Sequence, residues 1–65
     1  MANDAYLENV TEFVLYSLRD SLKDLEHINK VEPMRETSLC ITRLEESIYW
    51  LDRAHCIAKV DDTNA

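Results

Sequence analysis

The chain has 65 residues and a mass of 7.6 kDa, so it forms at most one small domain. It has no glycine, one proline and two cysteines, which excludes collagen-like proteins, disulfide frameworks and glycine-rich phosphate loops. Thirteen acidic residues against seven basic ones give a net charge of −6. Duplex nucleic acid and membrane surfaces are therefore not expected partners, because both require a basic face.

The first predicted helix covers residues 4 to 29, with Asn3 or Asp4 as its N-cap and Glu8 near the positive end of its dipole. A spacing of three and four residues predicts one buried stripe along it. The members of this stripe are Leu7, Thr11, Val14, Leu18, Ser21, Leu25 and Ile28, with Leu22 beside them. Leu15 is expected to point further round the helix.

Pro33 divides the chain into two nearly equal halves, which gives a turn at residues 30–33 and a second helix over residues 34–60. Residues 61–65 are expected to form a polar tail. The stripe of the second helix is Ile41, Leu44, Ile48, Leu51, His55 and Ala58. The short turn favours antiparallel neighbours, so the predicted fold is all-α, an antiparallel two-helix hairpin.

The hairpin is further predicted to assemble into a symmetric helical homo-oligomer, because two helices cannot bury all the apolar surface of this sequence. Additional apolar and small side chains flank both stripes: Tyr6, Val10 and Phe13 in the first helix, and Cys40, Ser47, Trp50, Ala54 and Ile57 in the second. Phe13, Trp50 and Ile57 are placed at the interface between copies. The alternative is a monomer with loosely covered aromatic side chains.

Neither a metal, a cofactor nor catalysis is predicted. Cys40 and Cys56 lie about 24 Å apart along one helix, too far for a bridge, and are expected to be buried free thiols. His55 is expected to pack or to form a buried hydrogen bond, since one His–Cys pair falls short of a zinc site. The adjacent carboxylates of Glu45 and Glu46 point about 100° apart and cannot act together on one bond. Ser38, Thr42 and Ser47 are not expected to have an adjacent base that would activate them as nucleophiles.

Arg35, Ser38 and Thr42 share one face at the start of the second helix, where backbone N–H groups and the helix dipole favour an anion. A guanidinium with two hydroxyls is a suitable combination for a phosphate. The alternative is that Arg35 is merely solvated and the hydroxyls bond to the preceding turn.

The segment 35–50 reads RETSLCITRLEESIYW. It resembles the pattern R-E-x-S-L-A-x-T-K-L-E-E-A-x-M-W of a phage hairpin-domain family that includes anti-CBASS and anti-Thoeris sponge proteins. The identical positions are Arg35, Glu36, Ser38, Leu39, Thr42, Leu44, Glu45, Glu46 and Trp50. Cys40 replaces a small residue, Arg43 a lysine, Ser47 an alanine and Tyr49 a methionine. The first helix resembles the family only in its pattern.

The resemblance implies a helical hairpin that assembles into a symmetric oligomer, often a hexamer. It implies sequestration, without cleavage, of a cyclic oligonucleotide or a cyclic ADP-ribose isomer that serves as an immune messenger. The implied phosphate contacts are Arg35, Ser38 and Thr42, with Lys30 as an addition from the first helix. Tyr6 is the predicted aromatic contact to a base, with Tyr16 and Tyr49 as alternatives.

Two other functions are compatible with the sequence: a small acidic adaptor that binds a host protein, and a purely structural assembly module. The first five residues lack the basic start and apolar core of a signal peptide. The expected location is therefore a reducing cytoplasm, which the resemblance identifies as that of a host bacterium.

Overall fold

The computed structural model describes residues 5–64, with side-chain environments for residues 5–58. It contains two helices, α1 (Ala5–Val31) and α2 (Arg35–Asn64), which confirms the all-α prediction. The predicted N-cap residues, Asn3 and Asp4, lie outside the described range. The hairpin extends over 48 × 16 × 11 Å. Neither described helix combines the length and hydropathy needed to cross a membrane.

Both helices extend beyond their predicted ends. α1 continues two residues past Asn29, to Val31, and α2 ends at Asn64 instead of near residue 60. The predicted polar tail at residues 61–65 was therefore wrong for 61–64, which are helical. The physical reason lies in the composition, because the chain has no glycine and its single proline, Pro33, precedes α2.

Asn29 organises the connection between the helices. Its Oδ1 accepts a hydrogen bond from the backbone N–H of Met34 (3.1 Å), and its Nδ2 donates to Oγ of Ser38 (3.2 Å). The N–H of Ser38 donates to the carbonyl of Met34 at 3.0 Å, which makes Met34 the N-cap position of α2. One side chain thus links the last turn of α1 to the first turn of α2.

The seam between the helices is narrow. Only Leu15 and Ile48 among the described residues are buried, at 3% and 9% exposure. On α2 the predicted stripe is largely confirmed, since Ile41, Leu44, Leu51 and His55 are all half-buried around Ile48. Ala58 is exposed and was wrongly included.

On α1 the predicted stripe was right in part, because Thr11, Leu18 and Leu25 are half-buried, as is Leu22 beside them. The residues facing α2 are Thr11, Leu15, Leu18, Leu22, Leu25 and Asn29. Leu15, expected to point away, is the most buried residue, whereas Leu7, Val14, Ser21 and Ile28 are exposed. The row with Leu15 and Leu22 offers more apolar area than the row with Val14 and Ser21, and it brings Asn29 to the turn.

The antiparallel hairpin has two different broad faces. Arg19 on α1 and Asp52 on α2 lie on the same side of the seam, because they form an ion pair across the helices (3.7 Å). We call this side the polar face. We call the opposite side the apolar face. The apolar face consists of Leu7, Val10, Val14, Ser21, Cys40, Ser47 and Ala54, all exposed.

Candidate functional site

Arg35, Ser38 and Thr42 lie at the turn end of the hairpin, on one side of the first two turns of α2. All three are exposed, and Arg35 forms no ion pair within the described part of the chain. The first backbone N–H groups of a helix have no intrahelical acceptors, so a partial positive charge lies beside these side chains. The structure therefore brings the three residues to one helix end, as the sequence predicted.

The hydroxyls of Ser38 and Thr42 have different hydrogen bonds. Oγ of Ser38 accepts a hydrogen bond from Asn29, so its own hydrogen can still be donated to a ligand. Oγ1 of Thr42 donates to the carbonyl of Ser38 at 3.2 Å, which is the bond to the preceding turn that the sequence left open. Ser38 is therefore prepared to donate to an anion, whereas Thr42 must first release a backbone acceptor.

The other two predicted ligand contacts lie at opposite ends of α1. Lys30, in the last turn of α1, is exposed at the same end of the hairpin as Arg35. Tyr6 lies in the first turn of α1 and is 74% exposed. About 36 Å of helix separates it from Lys30, so a single chain does not bring Tyr6 near the predicted phosphate contacts.

Phe13, Trp50 and Ile57, the predicted interface residues, lie on the outer sides of the two helices, away from the seam. Their exposures are 69%, 58% and 50%. Trp50 makes an edge contact with Tyr49, with ring centroids 4.9 Å apart and ring planes at 77°. These large side chains are covered by nothing else within the described chain, which leaves them available to a partner.

The expectation of buried thiols was wrong. Cys40 and Cys56 are both free, as predicted, but both are exposed. The reason is the narrow seam, because each cysteine lies beside it and no further layer of the described chain covers either helix.

A cluster that the sequence did not predict lies near the open end of the hairpin. Glu8 and Glu12 on α1 approach His55 on α2, and one potential ligand atom from each lies within 4.8 Å of the others. Nε2 of His55 is 3.3 Å from Oε2 of Glu12. His55 packs against the seam, as expected, but its hydrogen bond is to the exposed carboxylate of Glu12 and is not buried. Its acidic surroundings depend on the register of the helices. Counting residues outward from the turn along both predicted helices would have placed Glu8 and Glu12 opposite His55.

Comparisons of the chain with protein-family models, curated proteins and solved structures found no match.

Proposed function

We propose that this protein is a phage-type sponge that binds a cyclic nucleotide immune messenger and sequesters it without cleaving it. The observation that carries the proposal is the segment 35–50, whose resemblance to the sponge family includes Arg35, Ser38 and Thr42. The same three residues are exposed together at the start of α2. By lowering the free messenger, the protein would block CBASS-type or Thoeris-type signalling in the cytoplasm of an infected bacterium.

The chemistry at the start of α2 supports an anionic ligand despite the net charge of −6. The guanidinium of Arg35 forms strong paired hydrogen bonds with phosphate oxygens. The hydroxyl of Ser38 and the first backbone N–H groups of α2 supply neutral donors. Lys30 adds a second cation at the same end of the hairpin. A small dianion requires only this local cluster, unlike a duplex, which requires an extended basic face.

The ligand pocket is proposed to lie between copies of the hairpin. A protein of this mass exposes about 4,300 Å² when it folds as an ordinary monomer. The hairpin exposes 5245 Å². The excess is of the order of the roughly 800 Å² that each partner buries in a standard interface. Covering the apolar face with a second copy would remove this excess, and cyclic symmetry would multiply each Arg35 around the axis.

Association between copies would also bring an aromatic side chain close to Arg35, which a single chain does not do. Tyr6 lies at the other end of the hairpin from Arg35, so it reaches a ligand at Arg35 only from a neighbouring copy. In that arrangement the ring of Tyr6 stacks on a base, which typically contributes about 1–3 kcal/mol. The resemblance suggests a hexamer as the size of the assembly.

The direct test is calorimetric titration of the purified protein with a panel of cyclic dinucleotides, cyclic trinucleotides and cyclic ADP-ribose isomers. We expect at least one to bind, and heat denaturation of the complex to release it chemically unchanged. Arg35→Ala should weaken binding at least tenfold. Arg43→Ala is the matched control, because Arg43 is an exposed arginine of the same helix whose one ion pair among the described residues is with nearby Glu46 at 3.5 Å. Failure of every panel member to bind would exclude the sponge.

The exposed apolar face favours a second candidate, the acidic adaptor that binds a host protein. The small, exposed side chains of Ser47 and Ala54 on this face would allow an incoming amphipathic helix to approach closely. Affinity purification from host lysate separates the two functions. A stoichiometric host protein on the column, with no nucleotide in the eluate, would favour the adaptor.

A further inference from the structure

The cluster of Glu8, Glu12 and His55 has the composition and geometry of a metal site. Glu8 and Glu12 are four residues apart, so their side chains lie above one another on α1. His55 reaches the same point from α2. The three ligand atoms already lie within 4.8 Å of one another. Ligand atoms around a tetrahedral ion lie about 3.5 Å apart, so rotation of the exposed Glu8 side chain closes the remaining gap.

His55 is the fixed member of this cluster. Its side chain is only 10% exposed, and its Nε2 faces Oε2 of Glu12 at 3.3 Å. Burial holds the imidazole ring in one orientation before any ion arrives, which reduces the ordering required on binding. Glu12 is half-exposed, at 53% of its side chain, and can adjust to the ion.

The charge arrangement at this point favours a cation. Glu8 and Glu12 form a like-charge pair at a spacing that destabilises a helix. The whole chain carries a net charge of −6, which adds to the negative potential. His55 counters this potential only when it is protonated. A divalent ion relieves the repulsion and links the two helices at the end of the hairpin that has no turn.

We propose that Glu8, Glu12 and His55 bind one divalent transition-metal ion, with Zn²⁺ as the reference ion and solvent completing its coordination. One imidazole nitrogen with two carboxylate oxygens is a donor set typical of Zn²⁺. Ca²⁺ and Mg²⁺ prefer oxygen ligands alone and in larger numbers. This site lies far from Arg35 along the hairpin and does not depend on the proposed nucleotide binding.

The test is a calorimetric titration of metal-free protein with ZnCl₂. The full chain is used with Cys40→Ser and Cys56→Ser, because both thiols are exposed and would bind Zn²⁺ themselves. We expect one ion per chain and a rise in the melting temperature followed by circular dichroism. Glu8→Gln and Glu12→Gln should each weaken binding at least tenfold and abolish most of the rise.

Two exposed residues outside the cluster provide matched controls. Glu36→Gln removes a carboxylate from the first turn of α2, and His27→Gln removes an imidazole from α1. Both variants should bind Zn²⁺ as the parent does. His55→Gln should abolish binding, with circular dichroism establishing whether it remains folded. Absence of Zn²⁺ binding by the parent would overturn the proposal, as would equal losses in Glu8→Gln and Glu36→Gln.

Discussion

The two broad faces of the hairpin differ in the chemistry of the side chains that they present. On the polar face, Arg19 meets Asp52 and Glu12 meets His55 across the helices. On the apolar face, Leu7, Val10 and Val14 remain 60%, 39% and 37% exposed. The cross-helix polar pairs belong to one register of α1 against α2, whereas the apolar face has contacts left to make. The comparison teaches that pairing within the chain and the proposed association between chains would use opposite sides of the same two helices.

The largest expected effect comes from comparing two leucines of α1. Leu15→Ala empties the centre of the seam and should lower the free energy of unfolding by about 2–5 kcal/mol, enough to unfold a chain this small. Leu7→Ala removes the same atoms from the apolar face and should cost under about 1 kcal/mol in dilute solution. Urea denaturation measures both. A larger loss for Leu7→Ala in dilute protein would mean that the seam is misplaced.

Introducing a charged side chain on each face in turn should show which face mediates self-association. Ser47→Arg introduces a cation into the apolar face and should weaken self-association at least tenfold, because that charge would be buried between copies. Glu45→Arg places the same side chain on the polar face and should leave association nearly unchanged. Light scattering over a concentration series gives both values. Equal behaviour of the two variants would contradict the assignment of the faces.

Substitutions at the turn end of the hairpin should have a smaller effect on the free energy of unfolding. Asn29→Ala removes the acceptor for the Met34 N–H and the donor to Ser38, and should cost about 1–2 kcal/mol. Ser38→Ala removes only the second bond and should cost about half as much. Chemical denaturation at low protein concentration compares them. If Ser38→Ala were the more destabilising, the backbone bond to Met34 would not be the important one.

The smallest effect is expected on the polar face itself. The Arg19–Asp52 pair has a separation of 3.7 Å, with both side chains about half-exposed. A double-mutant cycle with Arg19→Ala and Asp52→Ala should therefore give a coupling of about 0.2–1 kcal/mol, and added salt should reduce it. A coupling that salt does not change would indicate that the pair is shielded by another copy.

The sequence predicted α2 better than α1 because the two helices distribute their apolar residues differently. On α2 the seam residues from Ile41 to His55 form one distinct row. On α1 the rows containing Val14 and Leu15 are both apolar, and only packing against a partner distinguishes them. The surplus of apolar side chains that suggested association is also what obscured the buried side of α1.

The two candidate sites also differ in how well the sequence predicted them. Arg35, Ser38 and Thr42 are close in sequence, so helical periodicity alone placed them together. His55 lies more than 40 residues from Glu8 and Glu12, and its proximity to them follows only from the length of the turn. The sequence did not predict that Cys40 and Cys56 are exposed, because their burial would require a further layer of structure over the helices.

The connection between the helices is only three residues long, residues 32–34, and this has an evolutionary consequence. Surface loops ordinarily tolerate insertions and deletions well. Here a single inserted residue would displace Met34 and Ser38 from Asn29, whose side chain bonds to both across the connection. Homologous chains should therefore keep the length of this connection constant.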